Sequence, residues 1–147
     1  MKELHYSISI QKPPAFVFET LTDKSVYPEW AKAWGEGMTY DGSWEEGAFI
    51  SFFDESQGGT RAVVEKVVPN ESIELKHVAM VNAQNIEQEL TDDMMRKWIG
   101  SEEKYFFREE NDASTRLEIV MVTDEVFEEM MNAWGKALDY LKSICER

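Results

Sequence analysis

The sequence is poor in most of the features that mark a specialised protein class. It has one cysteine, Cys145, so an internal disulfide framework is excluded. No stretch approaches the roughly 18 apolar residues of a membrane-spanning helix, so membrane insertion is not expected. Positive charge is scarce: 15 Lys and Arg stand against 29 Asp and Glu, for a net charge of -14. With no basic stripe, such a chain repels phosphate backbones and anionic membrane surfaces, and nucleic acid is excluded as a partner class. There are two histidines, no HExxH and no EF-hand spacing, so no metal centre is predicted. The eight glycines and four prolines form neither a phosphate loop nor a GxSxG elbow, and no cofactor is implied. No Gly/Ser/Pro linker divides the chain, which reads as one domain, 1–147. "MKELHYSISI" alternates rather than forming the apolar core of a signal peptide. Together with the missing disulfides, this favours the cytoplasm.

What is present is a core. Forty-three per cent of residues are hydrophobic and 12% aromatic, which fits a globular protein. "KELHYSISIQ" puts Leu4, Tyr6, Ile8 and Ile10 on one face of a strand. Pro13 and Pro14 end it and open a helix over "PAFVFETLTD", with Phe16, Val17, Thr20 and Leu21 sharing a face. "DKSVYPEWAKAW" reads as a second short helix, broken near Pro28 and anchored by Tyr27, Trp30 and Trp34. "YDGSWEEG" reads as a turn. Strands follow at "AFISFFD", "TRAVVEKVV", "SIELKHVAM", "KYFFREE" and "STRLEIVMV", joined by hairpin-length connections that imply an antiparallel sheet. Residues 82–97 form a long excursion in which Asn85 could cap a short helix and "TDDMMRKW" could form another. In the last segment Phe127, Met130, Met131, Trp134, Leu138, Leu141 and Cys145 recur at spacings of three and four. This predicts one long amphipathic helix capped by Asp124, with Cys145 as apolar filler.

One strand, two short helices, a run of antiparallel strands and one long helix make an α+β order. A helix with a broad apolar face needs a concave apolar partner, which a curved sheet supplies. "KPPAFVFETLTDKSVYPEW" resembles the opening of the START-like SRPBCC superfamily, the helix-grip fold shared with a birch-pollen allergen. "GSWEEGAFISF", "GGTRAVVEKVVPNESIELKH", "KWIGSEEKYFF" and "WGKALDYLKSI" follow in the order found in its branch related to activators of the heat-shock chaperone ATPase. The resemblance implies a curved antiparallel sheet wrapped around the C-terminal helix, with a cavity between them. In many members that cavity takes small hydrophobic or amphipathic molecules. Chaperone-activating relatives work with a second, separate domain, for which 147 residues leave no room.

His77 is the candidate of most chemical interest. In "SIELKHVAM", Ile73, Leu75, His77 and Ala79 alternate with the outward residues, so an imidazole would face the helix. There it could orient a ligand's carbonyl or carboxylate, transfer a proton, or serve as a core histidine bonded to a neighbour. Glu103 and Tyr105 share a face of their strand and could recognise a polar head group with it, or point to solvent and core respectively. Leu75, Leu117, Ile119, Met130, Trp134, Leu138 and Trp98 are the expected apolar ligand contacts. Thr115, Leu117, Ile119 and Met121 form an inward stripe, with Arg116 and Glu118 outward. Glu87, Glu89, Asp92 and Asp93 read as a solvated loop rather than a metal site. The expected function is binding of a small hydrophobic or amphipathic ligand. The alternatives are a cyclase-, dehydratase- or hydrolase-type enzyme using His77 with Tyr105 or Glu103, and a chaperone or stress accessory whose acidic surface meets a basic partner. A homodimer is a further possibility.

Overall fold

The computed structural model describes residues 1–111 and 113–147. Strand β1 (Lys2–Ile10) buries Leu4 and Ile10, as its alternation requires. Pro13 is extended at φ -67° and Pro14 takes the first position of helix α1 (Pro14–Thr22). The ring's fixed φ suits that position, and the missing N–H would have no partner in a first turn anyway. Val17 and Leu21 of α1 are buried, whereas Phe16 is exposed and does not join their face. Helix α2 (Tyr27–Ala31) is only five residues long, with Pro28 in its first turn. It buries Tyr27, Trp30 and Ala31.

Strands β2 (Met38–Gly42), β3 (Phe49–Asp54), β4 (Gly58–Val68), β5 (Ser72–Val81), β7 (Glu102–Asn111) and β8 (Ser114–Thr123) complete the sheet path, ordered β1-β8-β7-β5-β4-β3-β2. Every pairing in it is antiparallel. A two-residue piece, β6 (Glu87–Gln88), pairs beside β5. Part of the segment that reads as a turn is therefore strand: Met38–Gly42 hydrogen-bonds along β3, and Tyr40 is buried there. Its hydroxyl donates to the Thr22 carbonyl at 2.7 Å, tying the end of α1 to this edge. Gly58 takes φ +86° at the β3–β4 turn, where a Cβ would stand 2.5 Å from the Val81 carbonyl oxygen. Only glycine fits that approach.

The β4–β5 ladder shifts register twice, between Arg61 and Ala62 and between Val64 and Lys66. Bulges of this kind bend a strand and increase its twist. The inward face collects Ala62, Val64, Ile73, Leu75, Tyr105, Phe107, Leu117, Ile119 and Met121 into one core.

The C-terminal segment departs from the expected single helix. A short 3-10 turn (Glu125–Phe127), capped by Asp124 accepting from the Val126 N–H at 3.0 Å, leads to α4 (Glu128–Met131) and then α5 (Trp134–Glu146). At the join Asn132, Ala133 and Gly135 donate to Glu129, Met130 and Asn132, three residues back. Such bonds overwind the chain. Met130 is thereby turned outward, while Met131 and Trp134 face in. Helix α5, about 20 Å long at 1.5 Å per residue, packs beside β1, α1 and α2 through Trp134, Ala137, Leu138, Leu141 and Cys145.

Leu141 is 1% exposed and Met130 55% exposed. Leu141→Ala is therefore expected to lower unfolding free energy by about 2–5 kcal/mol, and Met130→Ala by less than about 1 kcal/mol, in urea titrations. Equal losses would show that α5 does not pack as described.

Candidate functional site

Between α2, α3 (Asp93–Trp98), the 3-10 turn, α4 and the far half of the sheet lies a hollow of about 380 Å³. Its walls are aromatic and sulfur-rich. Six of the eight methionines line it, at positions 38, 80, 94, 95, 130 and 131. So do four of the five tryptophans, Trp30, Trp34, Trp98 and Trp134. Trp134 is the hub of one wall. It stacks with Trp30 at 6.0 Å between ring centres and meets Trp34 and Tyr105 edge-on at 4.7 and 5.8 Å. Exposed Met94 and Met130 stand at the rim.

One part of the lining is polar. His77, on β5, is 1% exposed. Its Nε2 lies 3.1 Å from Glu103 Oε1, and its Nδ1 lies 3.0 Å from Thr60 Oγ1. The Trp98 indole N–H donates to that same hydroxyl at 2.9 Å, and the hydroxyl lies 3.2 Å from the Ala79 carbonyl oxygen. The Tyr105 hydroxyl donates to Glu103 Oε2. Five side chains thus form one connected chain of hydrogen bonds, and Glu103 is held at 9% exposure. A buried carboxylate without such partners would be strongly destabilising. The backbone locks the same corner: the His77 N–H donates to the Ser101 carbonyl and the Gly100 N–H to the His77 carbonyl, both at 2.8 Å. These bonds fix the exit of α3 against β5.

Burial, and then the Glu103 charge beside it, push the Tyr105 hydroxyl well above its ordinary pKa, so it remains a donor. Burial followed by the same carboxylate raises Tyr27 in the same way. No group of three or more His, Cys, Asp or Glu suited to a metal occurs among the described residues.

The expected site residues divide into two sets. His77, Glu103, Tyr105, Trp98, Met130 and Trp134 border the hollow. Leu75, Leu117, Ile119 and Leu138 do not border it: they are 0–3% exposed and belong to the packed core instead, Leu138 from α5 itself. Strict alternation along β5 also fails. Ala62 pairs with His77, but Thr60 pairs with Met80, because a bulge inserts an extra residue on β5. Met80 therefore shares the inner face with His77 and Thr60, where simple alternation expects Ala79. Thr60, Phe52, Met38, Met80, Met94 and Met95 are among the lining residues that sequence reasoning missed. The glycine pair before Thr60 was the available signal for a close approach there. Asn85 caps no helix. At φ +61° its amide binds Arg61 and Asp41. The helix cap in this excursion is Asp92, which accepts from the Met95 N–H at 2.8 Å.

This architecture is a helix-grip fold, and solved structures share it over nearly the whole chain. A Mesorhizobium loti protein, MLL2253, superposes with a TM-score of 0.78 at 14% identity, covering 99% of this chain and 98% of its own. The Aha1 dimer of Colwellia psychrerythraea gives 0.72 at 19% identity, covering 99% and 97%. An HSP90 activator of Plasmodium falciparum gives 0.68 at 15%, covering 98% and 96%. No family model and no curated protein matches the sequence. No helix among the described residues is long and apolar enough to cross a membrane.

The tyrosine environments set a pH dependence. An unfolded chain releases phenol protons near pH 10, before buried Tyr105 and Tyr27 release theirs. Stability from these groups is complete below that value and is lost as pH rises past it. Melting temperature should fall above about pH 10, and Tyr27→Phe should fall less steeply than the parent. Identical slopes in a pH series of thermal melts would contradict this assignment.

Proposed function

We propose that the chain is a binding protein for a small amphipathic molecule held in the hollow between the sheet and its helices. The observation that carries this reading is the pairing of a nearly continuous aromatic and methionine wall with one compact polar station, Glu103–His77–Tyr105. Ligand pockets combine apolar enclosure with a few placed polar groups in this way, and methionine side chains adapt to irregular shapes. N-phenyl-naphthylamine, a neutral probe that brightens in apolar surroundings, should bind saturably. Met80→Trp, which places a larger ring in the space, should weaken it by at least about tenfold, or 1.4 kcal/mol, without changing the unfolding midpoint. Absence of saturable binding in the parent would end this reading.

A second reading draws on the same polar station. Imidazole, carboxylate and phenol within hydrogen-bond reach of one another around one space are the parts of a general acid–base site. Under it, His77 and Glu103 move a proton on the bound molecule and Tyr105 orients the carboxylate. Mass spectrometry of a ligand before and after incubation separates the two. Recovery of the ligand unchanged from the parent favours binding alone. Conversion by the parent but not by Glu103→Gln favours catalysis. The chaperone-accessory and homodimer readings have only the likeness to the two proteins of those descriptions, which at 15–19% identity extends to the fold.

A further inference from the structure

The charged and hydrogen-bonding groups around the hollow are strongly one-sided. Its carboxylates are Glu103, deep in the wall, and Asp92 at the rim. No lysine or arginine among the described residues lines it. The guanidinium groups nearby in sequence are engaged elsewhere: Arg96 reaches Asp93 at 3.3 Å and the Leu90 carbonyl at 2.9 Å, and Arg61 reaches Ser51 and Asn85. Among the described residues, the one titratable cation-former on the wall is His77, and both of its ring nitrogens already have partners. The single donor protons of Tyr105 and Trp98 are committed to Glu103 and Thr60.

Glu103 itself is not saturated. A carboxylate offers about four acceptor positions, and here one contact goes to Tyr105 and one to His77. The remaining lone pairs belong to a residue that borders the hollow. The other uncommitted groups are neutral: the buried Trp30 indole N–H has no hydrogen-bond partner, and the Tyr27 hydroxyl and the indole N–H groups of Trp34 and Trp134 make no hydrogen bond among the described residues. They suit a carbonyl or ether oxygen but supply no charge to balance an anion. The Trp30, Trp34 and Trp134 rings supply π-faces, which attract cations. An anionic head group would be desolvated beside a like charge, whereas a protonated nitrogen would gain a charge-assisted bond and a ring face together.

Resting on the binding reading above, we propose that the ligand is an amphipathic amine, with an aromatic or alicyclic body between the tryptophans and methionines and its protonated nitrogen at Glu103. Fatty carboxylates and other organic anions are the class this site rejects.

Three probes with one body test it: naphthylmethylamine, naphthylmethanol and naphthoate, titrated calorimetrically at neutral pH. The amine should bind at least about tenfold more tightly than the alcohol, and the carboxylate most weakly. Glu103→Gln should reduce amine affinity to that of the alcohol and leave the alcohol within about twofold. The amine-to-alcohol ratio is the decisive readout, because a distorted hollow would weaken both alike. Asp92→Asn, at the rim, should change that ratio less than Glu103→Gln. If the carboxylate binds as well as the amine, or Glu103→Gln lowers both neutral and cationic probes equally, the amine assignment is overturned while binding in the hollow stands. If N-phenyl-naphthylamine and all three naphthalene probes fail to bind, both fall.

Discussion

The concave face of the sheet carries more apolar surface than its terminal helix can cover. Helix α5, 13 residues long, packs beside β1 and the first two helices. Leu138 of α5 joins Leu117, Ile119 and Leu75 of the sheet in a packed core at 0–3% exposure. Beyond the N-terminus of α5 the overwound join at Asn132 and Ala133 and the short α3 and α4 take over. Short helices with a narrow apolar edge roof the remaining surface without filling the space beneath. The hollow follows from that mismatch between the extent of the wall and the reach of the helix.

A buried carboxylate in such a place requires compensation. Glu103 has it from two directions, an imidazole on β5 and a phenol two residues along its own strand. The imidazole is in turn oriented by Thr60, which Trp98 also uses. The bulge between β4 and β5 makes this possible, since it brings Thr60, His77 and Met80 onto one face. Sheet curvature and site assembly therefore share one cause. The cluster also joins the lid side, through Trp98 of α3, to the wall side, so that movement of α3 would disturb the hydrogen bonds around His77.

The same architecture serves an Aha1 protein and an HSP90 activator. A fold hosts many functions, and the side chains grafted on it decide among them. In this chain the lining comprises six methionines, four tryptophans and a buried carboxylate, with no lysine or arginine among the described wall residues. The net charge of -14 deepens the negative field in which a ligand arrives.

Local patterns carried the architecture in the sequence. The period-two runs of β1 and β8, the proline pair before α1 and the three-and-four spacing through Trp134, Leu138 and Leu141 each reflect short-range geometry, and the curved antiparallel sheet with its C-terminal helix was legible from them. For the same reason His77 was legible as an inward residue, and Glu103 and Tyr105 as sharing one face of their strand. The register of β4 against β5, the overwinding that turns Met130 out, the strand at Met38–Gly42 and the gathering of distant methionines around one space were decided by tertiary structure. Each depends on which strand lies opposite, or on how far a helix reaches, and residues far apart in the chain settle those together.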